Sequence, residues 1–278
     1  MIDVKTKINS FFIFNSSFGP KEGDEAKRIL FFHPSQANTD ARKIQVAKDP
    51  YLLTFSSEPC EALQTQTKRH IFYQPEKGFW MVMIEPSVMY DLLTSAYKMF
   101  RMFMGPFKNI DPNEIYTKCD NFFTPYLQSK NFTNDIFDVI QGISYLPLDK
   151  NSFFKVMCFI DLLEVNFPDF KCICFVYNEQ LIWNGLSTSD MLTLYKYLTL
   201  TLLPTQVARE IQGGAVAAAQ KHGRFISPPE GITTEEDLNK LAKVYLMKED
   251  DNESKQYYLV IYRAMSATVC FTVDGMLI

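Results

Sequence analysis

The sequence lacks the residues and motifs on which most catalytic centres depend. Only three histidines occur in 278 residues, and none of them has a visible partner that would make it a general base. The chain has no phosphate-binding P-loop, HExxH zinc motif, GxSxG nucleophile elbow or Rossmann glycine fingerprint. Because no nucleophile–base pair is visible either, hydrolase chemistry is disfavoured. We therefore expect a protein that makes and breaks no covalent bond and uses no cofactor or metal.

Cysteine pairs and hydrophobic targeting segments are also missing. The six cysteines are scattered without a CxxC pair, which disfavours both a zinc ribbon and a redox motif. We interpret Cys172 and Cys174, two positions apart, as small core residues. The first ten residues contain no apolar signal segment, and no run approaches the roughly 18 apolar residues of a membrane span. These patterns indicate a reducing, cytosolic compartment.

The charge balance shows no excess of basic residues, whereas aromatic residues are abundant. The formal net charge is −4, so no global positive field points to a nucleic acid partner. Hydrophobic residues make up 47% of the chain, enough to bury a substantial core. Aromatic residues reach 14%, with 24 phenylalanines, and this composition favours β-rich layers with aromatic faces.

Two similar hairpins are predicted, one in each half of the chain. The apolar runs Phe11–Phe14 and Ile29–Phe32 flank a polar, glycine-containing loop, as expected of buried strands in a long-looped hairpin. The segment Phe175–Leu186 has the same character. The tetrapeptide FIFN ending at Asn15 aligns with FVYN ending at Asn178, an offset of 163 (178 − 15). We interpret this similarity as a weak internal repeat.

The first half is predicted to contain strands and helices in separate layers. Strands are predicted at His70–Tyr73 and Phe79–Ile84, and helices at Ala41–Phe55, Val88–Phe103, Asp120–Gln128 and Asp135–Ile140. Glu58–Lys68 is predicted to be irregular, and the segment between the two strands, Gln74–Gly78, to be a turn. The order is β-β-α-β-β-α-α with room for one more strand, which is typical of an α+β layer domain.

The second half repeats this order after a connecting helix. Asp149 is predicted to cap a helix over Phe153–Glu164, and Ser187 begins a run of capping residues before a helix that ends near Leu202 because Pro204 follows. Gln206–Thr234 is predicted to be a surface loop, and the last strands are predicted at Val244–Met247, Tyr257–Ala264 and Thr268–Val273. The predicted domains are 1–148, a connecting helix at 149–170, and 171–278. Because no helices follow the last strand, we expect the second domain to be incomplete.

The aromatic strands supply the candidate functional residues. Only alternate side chains of a strand face one core, so a sheet with aromatic residues on both faces needs both faces covered. Core packing is one interpretation of these residues, and contact with a partner subunit is the other. The candidate partner-binding residues are Phe14, Asn15, Phe18, Gly19, Ile44 and Trp80.

Several segments, taken in order along nearly the whole chain, resemble one family. They are FFIFNSSFGPKEGDEAKRILFFHP at Phe11–Pro34, FWMVMIEP at Phe79–Pro86, GISYLPLD at Gly142–Asp149, YNEQLIWNGL at Tyr177–Leu186, LYKYLTLTLLP at Leu194–Pro204, HGRF at His222–Phe225 and YRAMSATVCFTVD at Tyr262–Asp274. Together they are similar to the Ccz family, named for calcium, caffeine and zinc sensitivity.

The resemblance implies a fold, an activity and partners. The implied fold is a series of longin domains, each β-β-α-β-β-β-α-α, of which this sequence contains one complete and one incomplete copy. The implied activity is that of a guanine nucleotide exchange factor, formed together with a Mon-family longin subunit. Its implied target is the Rab GTPase of late endosomes and vacuoles, the Rab-seven type. A third accessory subunit and peripheral attachment to late endosomes, lysosomes or vacuoles through the complex are also implied. The alternative function is a longin scaffold for membrane trafficking without exchange activity.

Overall fold

A computed structural model describes residues 10–15, 17–18, 25–33, 62–64, 69–85, 90–129, 142–212, 223–226, 241–247 and 254–274. The helices predicted at Ala41–Phe55 and Asp135–Ile140 lie outside the described residues. The chain divides into two compact units: Met1–Phe100 with Pro106–Val139, and Arg101–Gly105 with Ile140–Ile278.

The first unit is built on a five-stranded antiparallel sheet with the order β2-β1-β5-β4-β3. Its strands are β1 (Ser10–Asn15), β2 (Ile29–His33), β3 (Ala62–Gln64), β4 (Arg69–Glu76) and β5 (Phe79–Glu85). Its helices are α1 (Tyr90–Met104), of which the part up to Phe100 belongs to this unit, and α2 (Ile115–Ser129). Short 3₁₀ turns at Glu25–Arg28 and Phe107–Asn109 complete the described elements. The two hairpins predicted for this half are confirmed, since β1 pairs with β2 and β4 pairs with β5.

Two details of the first unit differ from the prediction. A short strand, β3, lies within the segment predicted to be irregular, because it pairs with β4 at the edge of the sheet. Strand β4 continues through Pro75 to Glu76, so the turn contains only Lys77 and Gly78. Gly78 has φ +85°, a left-handed conformation that glycine adopts without strain.

The helix-facing side of the first sheet is held by a cluster of phenylalanine rings. Phe11 on β1 lies 5.7 Å from Phe31 on β2 and 5.4 Å from Phe123 on α2, measured between ring centroids. Phe123 in turn stacks on Phe100 of α1 at 5.1 Å. All four rings are buried. Aromatic pairs at these separations contribute about 0.5–1.5 kcal/mol each beyond their buried area, so this cluster fixes both helices against the sheet.

The second unit is built on a six-stranded antiparallel sheet with the order β7-β6-β11-β10-β8, in which β9 also pairs with β10. Its strands are β6 (Phe170–Tyr177), β7 (Gln180–Trp183), β8 (Arg224–Phe225), β9 (Ala242–Met247), β10 (Ser254–Ala264) and β11 (Ala267–Asp274). Its helices are α3 (Lys150–Asn166), α4 (Thr188–Tyr197) and α5 (Leu203–Gln212). The long strand β10 pairs with β9 along its first half and with β8 near its end.

The two sheets share one strand order. In each sheet the first strand lies between the second and the last, and the last pairs with the one before it. Strands β1 and β6 therefore occupy equivalent positions, in agreement with the internal repeat that aligns Asn15 with Asn178. In the β6–β7 turn, Asn178 and Glu179 have φ of 46° and 62°, the left-handed values that a tight hairpin turn requires.

The predicted helix caps of the second unit are confirmed. Asp149 caps α3 by accepting hydrogen bonds from the backbone N–H groups of Asn151 and Ser152. The Ser152 hydroxyl also donates to this carboxylate at 2.6 Å, and this bond, followed by the backbone bonds, lowers the pKa of Asp149. Ser187 caps α4 by accepting from the N–H of Asp190 at 3.2 Å. Such caps satisfy N–H groups that have no partner within the helix.

The prediction that Pro204 ends the helix after Ser187 is wrong. Helix α4 continues as a π-helical segment at Leu198–Leu202 and then as α5, with Pro204 as the second residue of α5. Pro204 directly follows the wider π-helical turns, where the regular i→i−4 hydrogen-bond pattern that proline would interrupt is already broken. The Thr205 hydroxyl donates to the Thr201 carbonyl at 2.7 Å. The segment 206–234, predicted to be a loop, is described in part. The described part contains the end of α5 and strand β8.

Gly185, just after β7, lies against the backbone of β6. A Cβ atom at this position would lie 2.5 Å from the carbonyl oxygen and 2.8 Å from the nitrogen of Ile173. Backbone atoms of a paired strand cannot move aside as the end of a flexible side chain can. A Cβ atom at Gly142, in contrast, would meet nothing within 4 Å. The two glycines therefore form a matched pair for testing this close approach.

We expect Gly185→Ala to lower the free energy of unfolding of the second unit by about 1–3 kcal/mol, because the added methyl group overpacks the contact between the chain after β7 and the backbone of β6. Gly142→Ala should leave it unchanged or raise it by less than about 1 kcal/mol. The measurement is urea unfolding followed by Trp183 fluorescence, with Trp80→Phe in all proteins compared. Equal stability of the two variants would show that the close approach is absent.

Candidate partner-binding surface

Phe14 and Trp80 form the aromatic part of the candidate surface. They are paired across β1 and β5, and their rings stack with centroids 6.4 Å apart and planes 11° apart. Both side chains are half-buried. They lie on the face of the sheet opposite the phenylalanine cluster described above, together with Phe12, Phe32 and Val82. The sheet therefore has two aromatic faces, as the sequence predicts.

Asn15 has a structural role at the end of β1. Its side-chain oxygen accepts a hydrogen bond from the backbone N–H of Ser17 at 2.8 Å, and its carbonyl accepts one from the N–H of Phe18 at 3.3 Å. The residue is only 4% exposed. Asparagine commonly forms such turns because its short side chain imitates a backbone carbonyl. Asn15 therefore positions the surface, whereas exposed Ser17 beside it is available for contact.

Phe18 ties this turn to the rest of the hairpin. Its carbonyl accepts a hydrogen bond from Nε of Arg28 at 3.2 Å. Its ring lies edge-to-face with the ring of Phe79, with centroids 6.3 Å apart. Phe79 in turn stacks on Phe107 at 5.2 Å, within the helix-facing core. The contacts of Phe18 thus link the exposed turn to the buried side of the sheet.

Glu76 holds the neighbouring β4–β5 turn in place and was not predicted from the sequence. One carboxylate oxygen accepts hydrogen bonds from the Tyr97 hydroxyl and the Phe107 N–H, both at 2.6 Å. The other oxygen accepts from the N–H of Lys108 at 2.9 Å. A carboxylate at this 3₁₀ turn satisfies N–H groups that the turn leaves without partners. The only signal in the sequence is an acidic residue before a turn, which is too common to identify this role.

The structure brings together four of the six candidate residues. Phe14, Asn15, Phe18 and Trp80 lie at one end of the first sheet, where β1 ends and β5 begins. Gly19 and Ile44 lie outside the described residues, so their place relative to this surface stays a prediction. The name "β1-end surface" is used below for Phe14, Ser17, Phe18 and Trp80.

Three of the described cysteines, Cys119, Cys174 and Cys270, have buried thiols. Burial raises the pKa of the Cys174 thiol to about 12 and also raises the pKa of Cys119 and Cys270. Such thiols stay protonated at neutral pH and are poor nucleophiles. Burial also lowers the pKa of His33. Among the described residues, no group of three or more His, Cys, Asp or Glu side chains is arranged to hold a metal ion.

Comparisons with known proteins match both units. Residues 8–105 match the family model described as "First Longin domain of INTU, CCZ1 and HPS4", and residues 170–276 match "Intu longin-like domain 2". The chain is 34% identical over 96% of its length to proteins named "Vacuolar fusion protein CCZ1 homolog" from Nematostella vectensis and Xenopus tropicalis. The chain belongs to the Ccz family.

Membership of the Ccz family confirms the resemblance drawn from the sequence, and the two family models confirm the tandem longin fold. The chain spans about two thirds of the length of these relatives, 66% for the Nematostella protein and 64% for the Xenopus protein. A Ccz homologue from Dictyostelium discoideum is 24% identical over 70% of the chain. Within the described residues, no helix is both long and apolar enough to cross a membrane.

We expect Glu76→Ala to lower the free energy of unfolding of the first unit by about 2 kcal/mol, because two backbone donors and one hydroxyl lose their acceptor. Lys77→Ala, at the exposed neighbouring position, should change it by less than about 0.5 kcal/mol. Urea unfolding followed by Trp80 fluorescence, with Trp183→Phe in all proteins compared, measures both. A loss no larger for Glu76→Ala than for Lys77→Ala would contradict the anchoring role of this carboxylate.

Proposed function

We propose that this chain is one subunit of a heterodimeric guanine nucleotide exchange factor. Its partner is a Mon-family longin subunit, and its target is the Rab-seven type GTPase of late endosomes and vacuoles. The observation that carries the proposal is the match to Ccz relatives along 96% of the chain, together with one longin family model on each unit. The relatives are named for vacuolar fusion, and activation of this GTPase promotes such fusion.

The proposed mechanism requires surface complementarity and no covalent step. An exchange factor binds the nucleotide-free GTPase more tightly than the loaded form. By thermodynamic linkage it must lower the affinity for nucleotide by the same factor. The protein therefore needs a broad rigid surface that holds the switch loops of the GTPase away from the phosphates and magnesium. A sheet fixed by packed aromatic rings supplies such rigidity.

The β1-end surface is the proposed contribution of this chain to the shared site. Half-buried Phe14 and Trp80 present aromatic area at low conformational cost, as residues at protein interfaces commonly do. The Asn15 turn and the Glu76 anchor hold this end of the sheet in one conformation. Preformed surfaces bind more tightly because little ordering remains to be done on binding.

The complex is proposed to act at the surface of late endosomes, lysosomes or vacuoles as a peripheral assembly. In animals a third accessory subunit joins it. Attachment through the complex accords with the described helices, none of which is suited to span a membrane.

The test is release of fluorescent GDP from the late-endosomal Rab by this chain alone, by the Mon-family subunit alone and by both. We expect acceleration by the pair and none by either subunit, because each supplies part of the site. A soluble, intact pair that fails to accelerate release would overturn exchange activity and support the trafficking scaffold instead. Acceleration by this chain alone would contradict a shared site.

The β1-end surface is tested by Ser17→Glu, which adds a charge at an exposed position beside Asn15, in the turn after the strand that carries Phe14. We expect the pair-stimulated rate to fall roughly tenfold, since an uncompensated charge at a desolvated contact is costly. Gln128→Glu, an exposed position near the end of α2, introduces the same charge and should leave the rate unchanged. Both variants should unfold within about 0.5 kcal/mol of the parent chain. Equal rates for the two variants would exclude this surface from the site.

A further inference from the structure

Helix α3 packs on the second sheet through one face, at whose edges Phe153 and Phe159 lie beside aromatic residues of β7 and β6. Val156, Ile160 and Leu163 contact the sheet, and of all the residues in α3 only Ile160 is fully buried. These three positions, spaced four and three residues apart, lie on one side of a helix.

The opposite face of α3 carries an exposed apolar stripe. Phe154, Cys158, Leu162 and Val165 recur at intervals of four, four and three residues and are all exposed. The exposed fraction is 49% for Phe154, 60% for Leu162 and 79% for Val165. A helix on the surface of a monomer usually presents polar residues on its outer face. A contiguous apolar stripe of this kind marks an interaction site.

The charged residues of α3 are arranged opposite to the way that the helix dipole favours. The basic residues lie towards its N-terminus and the acidic residues towards its C-terminus. Lys150 and Lys155 occupy the N-terminal half, whereas Asp161 and Glu164 occupy the C-terminal half. The first turn contains no acidic residue and the last turn no basic residue. The positive end of a helix dipole is its N-terminus, so all four charges lie nearer the end of like sign. Lys150 lies over the ring of Phe154, 5.7 Å from its centroid.

We propose that the stripe binds the same stripe of a second copy of this chain, with the two helices antiparallel. The charge pattern selects this occupant, because an antiparallel copy places the basic half of each helix beside the acidic half of the other. The two helix dipoles then also oppose each other. A parallel copy would instead bring like charges and like dipole ends together.

We place the two-fold axis of this dimer beside Cys158, which determines the residues of the two helices that face each other. Positions equally distant from 158 then lie at the same height, so Phe154 of one copy lies beside Leu162 of the other. Lys150 and Glu164 are fourteen residues apart, which places them within about 40° of each other around the helix. Lys150 of one copy and Glu164 of the other therefore meet on the same flank, offset by about 3 Å along the axis. Such an isologous contact occurs twice in the dimer.

The size of the stripe predicts a weak dimer. Helix α3 has 17 residues and is therefore about 25 Å long, and a single helix pair of this length forms an interface below the standard size. We expect a dissociation constant of roughly 10–100 μM. Sedimentation velocity of the full chain should therefore show its mass rising from monomer to dimer between about 1 and 200 μM.

The apolar contact is tested by Leu162→Glu against Leu200→Glu. Both leucines are exposed, at 60% and 56%, but Leu200 lies in the π-helical segment and outside the stripe. We expect Leu162→Glu to remain monomeric throughout the concentration range and Leu200→Glu to dimerise like the parent chain. Circular dichroism checks that both variants are folded. Equal behaviour of the two folded variants would overturn the proposal.

The charge pattern is tested by reversing it. Lys150→Glu alone should weaken the dimer roughly fivefold, because two inter-helix attractions become repulsions. Adding Glu164→Lys should restore the parent affinity, since the two partners then exchange signs. Failure of the double variant to recover would show that these charges do not meet across the dimer.

Orientation is tested by oxidative cross-linking through Cys158, which lies at the proposed axis. We expect a covalent dimer from the parent chain, and none from Cys158→Ser. A cysteine at Asn151 in the Cys158→Ser background should not cross-link, because the two copies of position 151 would be about 21 Å apart in the antiparallel pair. Equal cross-linking from positions 151 and 158 would indicate a parallel or non-specific contact and overturn the proposal.

A membrane is the competing occupant of the stripe. The full chain is therefore also mixed with vesicles of phosphatidylcholine containing phosphatidylserine. A chain that stays monomeric in solution but binds these vesicles through Leu162, and not through Leu200, would assign the stripe to lipid and overturn dimerisation. The dimerisation test is independent of the proposed exchange activity, because it is made on this chain alone. Failure of the pair in the GDP-release assay would therefore not change the outcome of the dimerisation test.

Discussion

Alternation of side chains along β1 is the constraint on which the first unit depends. Successive residues of a strand face opposite sides of the sheet, so a run of aromatic residues must be divided between two faces. Phe11 enters the ring cluster beneath α1 and α2, whereas Phe12 and Phe14 lie on the other face with Trp80. A shift of register by one residue would exchange the two sets. Strand β1 therefore positions both the core and the β1-end surface.

The second unit has the same strand order as the first, but different residues pack against its sheet. Strand β6 takes the place of β1, between the second strand and the last strand of its sheet, and Gly185 lets the chain after β7 approach the backbone of Ile173. Helix α3 covers part of one face through Ile160 and leaves its own outer face apolar. Both units thus combine a packed sheet with apolar residues that are only partly covered, half-buried Phe14 and Trp80 in the first and the exposed face of α3 in the second.

Local patterns predicted the strands, hairpins and helix caps because each depends on a few neighbouring residues. The family resemblance added the tandem longin fold, which the family models confirm. The continuation of the chain through Pro204 was not predictable, since a π-helical segment stabilised by buried Leu198 and Leu202 overrides the usual meaning of proline. Strands β3 and β8 are too short for a periodic pattern to indicate. The role of Glu76 depends on residues 21 to 32 positions away, which no local pattern encodes.

Exchange without covalent chemistry depends on a difference between two affinities. The most direct measurement is therefore the binding of the proposed pair, this chain with a Mon-family subunit, to the proposed GTPase target in two nucleotide states. We predict that the pair binds the nucleotide-free GTPase at least roughly tenfold more tightly than the GDP-loaded form. Equal affinity for the two states would contradict the proposed function, since a partner without differential affinity cannot shift the nucleotide equilibrium.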